Sequence, residues 1–312
     1  MTESLSDVEI QQQIEISRYL VLVPFTVLVY EYTLTFRLEV ERYWGTRLTA
    51  GNALFFINRY SALFGTVPIL VELLSTTTDP SKAAMCHGFQ EYHKYFVLLS
   101  QILVAVMLIM RTYALYERNK YVLALTVVVT LTVIVFALYI LLAGSSQDTL
   151  DPTLKSFGCP SAAPHDSNLH LAAAWSGMLI FDVMIFVLTV YKALRHDMGS
   201  GSLFSVLFRD GSMYFGIMIA VNVGNIVTYT SGGPIISGSA TTILNIVSSL
   251  MLTRLMLNLR DPRILRAQRN RTTRLTTTHD SPAITTFMEP YMGTDIPMDS
   301  MWTEEEELEY MR

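Results

Sequence analysis

The most constraining feature of this chain is a series of apolar stretches, each about the length of a bilayer crossing and nearly free of charge. A hydrocarbon core takes roughly 20 residues of helix. Residues 121–143 reach that length, and no charge occurs from position 121 to 147. Residues 211–253 are also uncharged. That stretch is too long for one span, and Ser231-Gly232-Gly233-Pro234 supplies a turn near its middle. It reads as two helices, 211–229 and 236–256. Two more come from 95–110, extended by 92–94, and from 169–193, interrupted by Asp182. Residues 19–36 are apolar except for Glu31, and 52–74 except for Arg59 and Glu72.

The expectation is an all-α polytopic membrane protein with seven transmembrane helices in a receptor-like bundle. No run alternates as a barrel strand would, and helices satisfy their own backbone groups in lipid. Composition agrees. Only 16% of residues are charged and 51% are hydrophobic, whereas a soluble domain carries roughly 25% charge. A net charge of −5 gives no basic footprint for nucleic acid. Two cysteines exclude a disulfide-dense scaffold and a cysteine zinc cluster. The segment before the first run carries Glu3, Asp7, Glu9 and Glu15. That acidity, with no small-residue cleavage site after the run, is unlike a secretory leader.

Orientation follows from Lys and Arg counts in the loops. One set of loops holds Arg37, Arg42 and Arg47, then Arg111, Arg118 and Lys120, then Lys192, Arg195 and Arg209. After the seventh run come Arg260, Arg263, Arg266, Arg269, Arg271 and Arg274. The opposite set holds Arg18, Lys82 with Lys94 at a helix edge, and Lys155. The alternation places the N-terminus outside and the C-terminus in the cytoplasm. Residues 1–18 are then extracytoplasmic, 19–260 form the transmembrane domain, and 261–312 form a cytoplasmic tail. Asp261-Pro262 is a helix-start signal, so the tail is expected to open with a short basic surface helix suited to anionic lipid. Its threonines and Glu304-Glu305-Glu306-Glu307 cannot build a core. Asn270-Arg271-Thr272 is a glycan acceptor sequence that stays bare if the tail is cytoplasmic.

Candidate functional residues fall into four groups. Glu31 and Arg59 are charges at membrane depth on consecutive helices, where ionisable groups are usually paired or functional. They are expected to form an intramembrane ion pair. Gln101, Asp182, Asn222, Asn225 and Asn245 lie deep within their helices and form a polar layer. It either surrounds a ligand- or ion-binding cavity or simply joins helices by hydrogen bonds. Cys86 and Cys159 both fall on the oxidising side, where a disulfide persists, and are expected to pair. Arg111, Tyr113 and Arg254 sit at inner helix ends, where they either anchor the interface or contact a cytoplasmic partner.

Several segments carry a family resemblance. They are Tyr30-Glu31-Tyr32, Glu39-Val40, Trp44, residues 55–60 (FFINRY), Arg111-Thr112-Tyr113-Ala114-Leu115-Tyr116, Phe208-Arg209-Asp210-Gly211 with Tyr214-Phe215, and residues 254–260. Together they resemble a seven-helix membrane protein family of basidiomycete fungi carrying the domain of unknown function 6533. The resemblance spans about residues 19–260. An aspartate is expected more often at position 31. The family implies a fold and an origin, and no activity.

Three functions compete. The first is a receptor-like sensor in a multi-pass membrane, the plasma membrane by preference, coupling an outer or mid-membrane ligand to a cytoplasmic signalling protein. Familiar receptor signatures are incomplete: no acid precedes Arg111, the sixth helix has no proline, and the seventh has neither Asn-Pro nor a lysine for retinal. Architecture alone is a weak warrant. The second is a channel or transporter built on the layer around Asp182. The third is a metal-dependent hydrolase using His87, His93, His165 and His170. These histidines lack i, i+4 spacing and an accompanying acid motif. The reading adopted is a non-enzymatic membrane protein without a metal or cofactor, with lipid as its main partner.

Overall fold

Eight helices in seven membrane-length spans make up the described part of a computed structural model. The described residues are 7–46, 49–74, 83–144, 165–197, 203–232 and 236–260. Within them the helices are α1 (Asp7–Tyr43), α2 (Ala50–Gly65), α3 (Val67–Leu74), α4 (Ala83–Leu115), α5 (Lys120–Gly144), α6 (His165–Asp197), α7 (Leu203–Ser231) and α8 (Ser239–Leu259). Seven stretches are long and apolar enough to cross a membrane, α2 and α3 together making one of them. The tail from 261 onward, including the expected surface helix, lies outside the described residues.

The spans overlie the apolar runs, although α4 starts at Ala83 rather than near 92 and α7 at Leu203 rather than 211, and two further differences stand out. Helix α1 starts at Asp7 rather than near Tyr19. Its buried positions explain why. Ile10, Ser17, Val21, Leu28, Thr35, Glu39 and Tyr43 are all buried, and steps of four and seven keep them on one helical face. That face continues before the apolar run begins. The second difference is the break between α2 and α3. Pro68 has no N–H and its ring crowds the carbonyl four residues back, so the regular ladder stops at Thr66, which keeps a helical φ of −78° and ψ of −19°.

Helix α8 is the axis of the bundle. In its apolar window 72% of the residues are buried, against 17% in those of α1 and α5. It packs on α1, α2, α4 and α7, while α4 also meets α5 and α6. The main core joins α4, α6, α7 and α8 through Leu108, Phe181, Ile185, Phe215 and Leu252. Leu28, Ala62, Ile246 and Leu250 join α1, α2 and α8. The outer surface is apolar. On α5 the residues Leu125, Val128, Leu131, Val135 and Phe136 are all exposed, a helix face that suits lipid and not water.

Two close contacts shape the α2–α4 seam. Tyr92 donates its hydroxyl to the Gly65 carbonyl at 2.9 Å. A Cβ at Gly65 would run into the Phe96 ring, so glycine is what lets these helices meet.

Candidate functional site: a charge network joining α1, α2 and α8

The polar groups concentrate at the end of the bundle where α1 finishes, α2 begins and α8 finishes. Glu39 is fully buried and Arg59 is 4% exposed, with Arg59 Nε 2.7 Å from Glu39 Oε2. The other carboxylate oxygen of Glu39 accepts from Trp44 Nε1 at 3.1 Å and from the Tyr60 hydroxyl at 3.0 Å. Tyr32 in turn donates to the Tyr60 hydroxyl at 3.0 Å. Arg59 Nη2 donates to the Tyr32 carbonyl at 3.1 Å, and its guanidinium lies 4.4 Å from the centre of the Tyr32 ring. A buried charge needs both an opposite charge and hydrogen bonds around it. Glu39 and Arg59 have both.

The second ion pair crosses from α1 to α8. Arg254 Nε donates to Glu31 Oε2 at 2.8 Å and Nη2 to Glu31 Oε1 at 2.6 Å. This is the two-pronged geometry that makes arginine–carboxylate pairs strong and directional. It is also more open: Arg254 is 42% exposed and Glu31 16%.

The expected pairing of Glu31 with Arg59 is therefore not formed. Each has another partner, for a geometric reason. Glu31 and Glu39 are eight residues apart, which is about 80° around a helix and about 12 Å along it. Helix α1 touches both α2 and α8, and the two glutamates face different neighbours. Arg254, which the sequence presents as an inner-end anchor or partner contact, pairs with Glu31.

Hydrogen bonds extend the network to the end of α8. Arg42 Nη1 donates to the Leu257 carbonyl at 2.6 Å, and the Tyr43 hydroxyl to the Met256 carbonyl at 3.2 Å. These satisfy carbonyls that a helix terminus leaves open. Arg260 reaches the Arg42 carbonyl at 3.2 Å and bonds Asn52 Oδ1, with its guanidinium 4.0 Å from the Tyr43 ring centre. Asn58 Nδ2 donates to the Ser249 carbonyl at 3.3 Å.

The mid-membrane polar layer does not form one ring. It separates into distinct contacts. Gln101 Nε2 donates to Asn245 Oδ1 at 2.5 Å. Asn222 Nδ2 donates to Asp182 Oδ2 at 3.1 Å. Thr241 donates to Asn225 Oδ1 at 3.0 Å. All five candidates are buried.

The remaining candidates are dispersed. Cys86 is disulfide-bonded, and Cys159, its expected partner, lies outside the described residues. Arg111 lies over Phe215, 5.0 Å from the ring centre. Tyr113 is half-buried, and its carbonyl accepts the turn N–H of Arg118 at 3.0 Å. Among the described residues, no three His, Cys, Asp or Glu come together as a metal site.

Sequence reasoning overlooked Glu39 as a site, though a signal was present. Glu39 continues the stripe of Leu28 and Thr35, and a carboxylate on a core-facing stripe demands a buried partner. Tyr32, Tyr60, Arg42, Asn52 and Arg260 carried no such signal, because their contacts depend on how α1, α2 and α8 meet.

Fold and site together define a helical, multi-span membrane protein with an ionic network at one bundle end. Residues 19–64 match the model of a family of unknown function, DUF6533. The matched segment contains Glu31, Tyr32, Glu39, Tyr43, Trp44, Asn52, Asn58, Arg59 and Tyr60. It supplies nearly every network residue that α8 does not. No curated protein and no solved structure matches the chain.

Proposed function

We propose that this protein is a receptor-like membrane sensor whose Glu31–Arg254 pair is the contact that changes between states. The difference in exposure between the two ion pairs carries this reading. The Arg59–Glu39 pair, at 4% and 0% exposure, is a fixed joint between α1 and α2. The Arg254–Glu31 pair, at 42% and 16%, can exchange its partner for water or for a competing acid. A switch needs an element with two accessible arrangements, and only the second pair is open enough to provide one.

In this reading the network end faces the cytoplasm, as the arginine-rich loops suggest, and a signalling protein binds there near Arg111, Tyr113 and Arg254. The membrane is the plasma membrane, and the chain belongs with the seven-span basidiomycete proteins it resembles. It is not an enzyme. A channel or transporter centred on Asp182 has less support, since Asp182 bonds Asn222 and the polar layer is divided among helices.

The test uses the full chain in lipid nanodiscs with spin labels on exposed Val40 of α1 and on half-buried Met256 of α8. Glu31→Gln should shift the distance distribution toward a second population and change capture of G-protein α subunits. Glu39→Gln should lower stability without creating that population. A single unchanged distance in Glu31→Gln, with unchanged capture of every subunit, sinks the proposal.

A further inference from the structure

Between α2, α4 and α8 lies a cavity of about 10 Å³ whose polar wall is Asn58, Ser61, Thr66, Ser100, Asn245 and Ser249. A single water needs about that much space and two to four polar partners. The wall chemistry is specific. Ser61 donates its proton to the Asn58 carbonyl at 3.2 Å, Thr66 to the Ala62 carbonyl at 2.7 Å, and Ser249 to the Asn58 carbonyl at 3.3 Å. With those protons committed, the three hydroxyl oxygens can offer a molecule in the cavity only acceptor lone pairs. Asn245 contributes the opposite. Its Oδ1 is held by Gln101, which fixes the amide direction, and its buried Nδ2 has no acceptor in the protein.

We propose that this cavity is a binding site for one ordered water, which accepts from Asn245 Nδ2 and donates to the wall hydroxyls. The pattern of one donor facing several acceptors complements water, which does both. A cation would meet the Asn245 N–H with no carboxylate in the wall, and an anion would meet lone pairs. An apolar group would leave Nδ2 unpaired at the full desolvation cost. The water links the Gln101–Asn245 pair to Asn58 and Ser249, and so to the joint between α2 and α8. This inference does not depend on the sensor reading.

Two measurements on the full chain test it. A high-resolution map in lipid should show one isolated spherical density about 2.7–3.2 Å from Asn245 Nδ2. A map with no density there, or with an elongated one, overturns the proposal. The second measurement is the sign of a thermal shift. In a dry void, Ser100→Val fills space and raises Tm. In a hydrated site it expels the water, leaves Asn245 unpaired and lowers Tm, by about 2–4 °C for a change near 1 kcal/mol. A rise in Tm overturns the proposal, as does a Tm that depends on replacing choline by sodium. If Ser100→Val does not fold, the map decides.

Discussion

Arg59 and Arg254 are both arginines paired with glutamates on α1, yet their surroundings give them different weights. Removing one partner of a buried pair strands the other, at about 3–5 kcal/mol. A solvated surface pair is worth roughly 0–1 kcal/mol, and Glu31–Arg254 is the more exposed of the two pairs. Glu39→Gln should therefore destabilise the detergent-solubilised protein far more than Glu31→Gln, as read by chemical or thermal unfolding. Equal losses would mean that burial does not separate the pairs. Arg59→Lys should also be costly. A lysine keeps the charge but cannot reach Glu39 and the Tyr32 carbonyl as a guanidinium does. Gly65→Ala should cost about 1–3 kcal/mol by overpacking against Phe96, and Phe96→Leu in the same chain should recover much of it. If the double variant is no better than Gly65→Ala, the Phe96 contact is not what limits that position.

At the level of helices, α8 is the member whose loss of packing matters most. Lipid is as apolar as leucine, so truncating a side chain in the membrane loses packing and leaves a void rather than losing hydrophobic transfer. At about 24 cal/mol per Å³ of cavity, Leu252→Ala on α8 should cost about 1–2 kcal/mol. Val128→Ala, on the exposed face of α5, should cost close to nothing. Comparing their Tm values in one detergent checks this, and similar shifts would place Leu252 outside the core. The helices themselves were legible in the sequence because bilayer thickness imposes a length that unbroken apolar runs such as 121–143 display. Their partners were not. Residue 254 reads as an interfacial arginine in isolation, and its glutamate lies 223 residues earlier. Periodicity shows which face of α1 is buried but not which helix covers it, so the sequence alone points Glu31 toward the adjacent span. The α2–α3 break had a visible cause in Pro68 that length alone obscured.

For the molecule as a whole, lipid is the solvent that makes the exposed apolar surface tolerable. After cell lysis the full chain should pellet with membranes, stay there through alkaline carbonate washing, and enter solution only with detergent. Recovery in the wash would contradict a multi-span assembly. The orientation has its own check at Asn270. Glycosidase treatment of chain made in a eukaryotic host should leave its electrophoretic mobility unchanged, and a downward shift abolished by Asn270→Gln would invert the topology.

The Glu31–Arg254 contact also dictates an order of events during biogenesis. At about 5–20 residues per second, the ribosome needs about 10–45 s to make the 223 residues between the two partners. Throughout that interval α1 sits in the translocon or the bilayer with a carboxylate whose mate does not yet exist, while the Glu39–Arg59 joint can already close. The first two spans can thus hold their own ion pair before α8 exists, and only with α8 can Glu31 gain its partner.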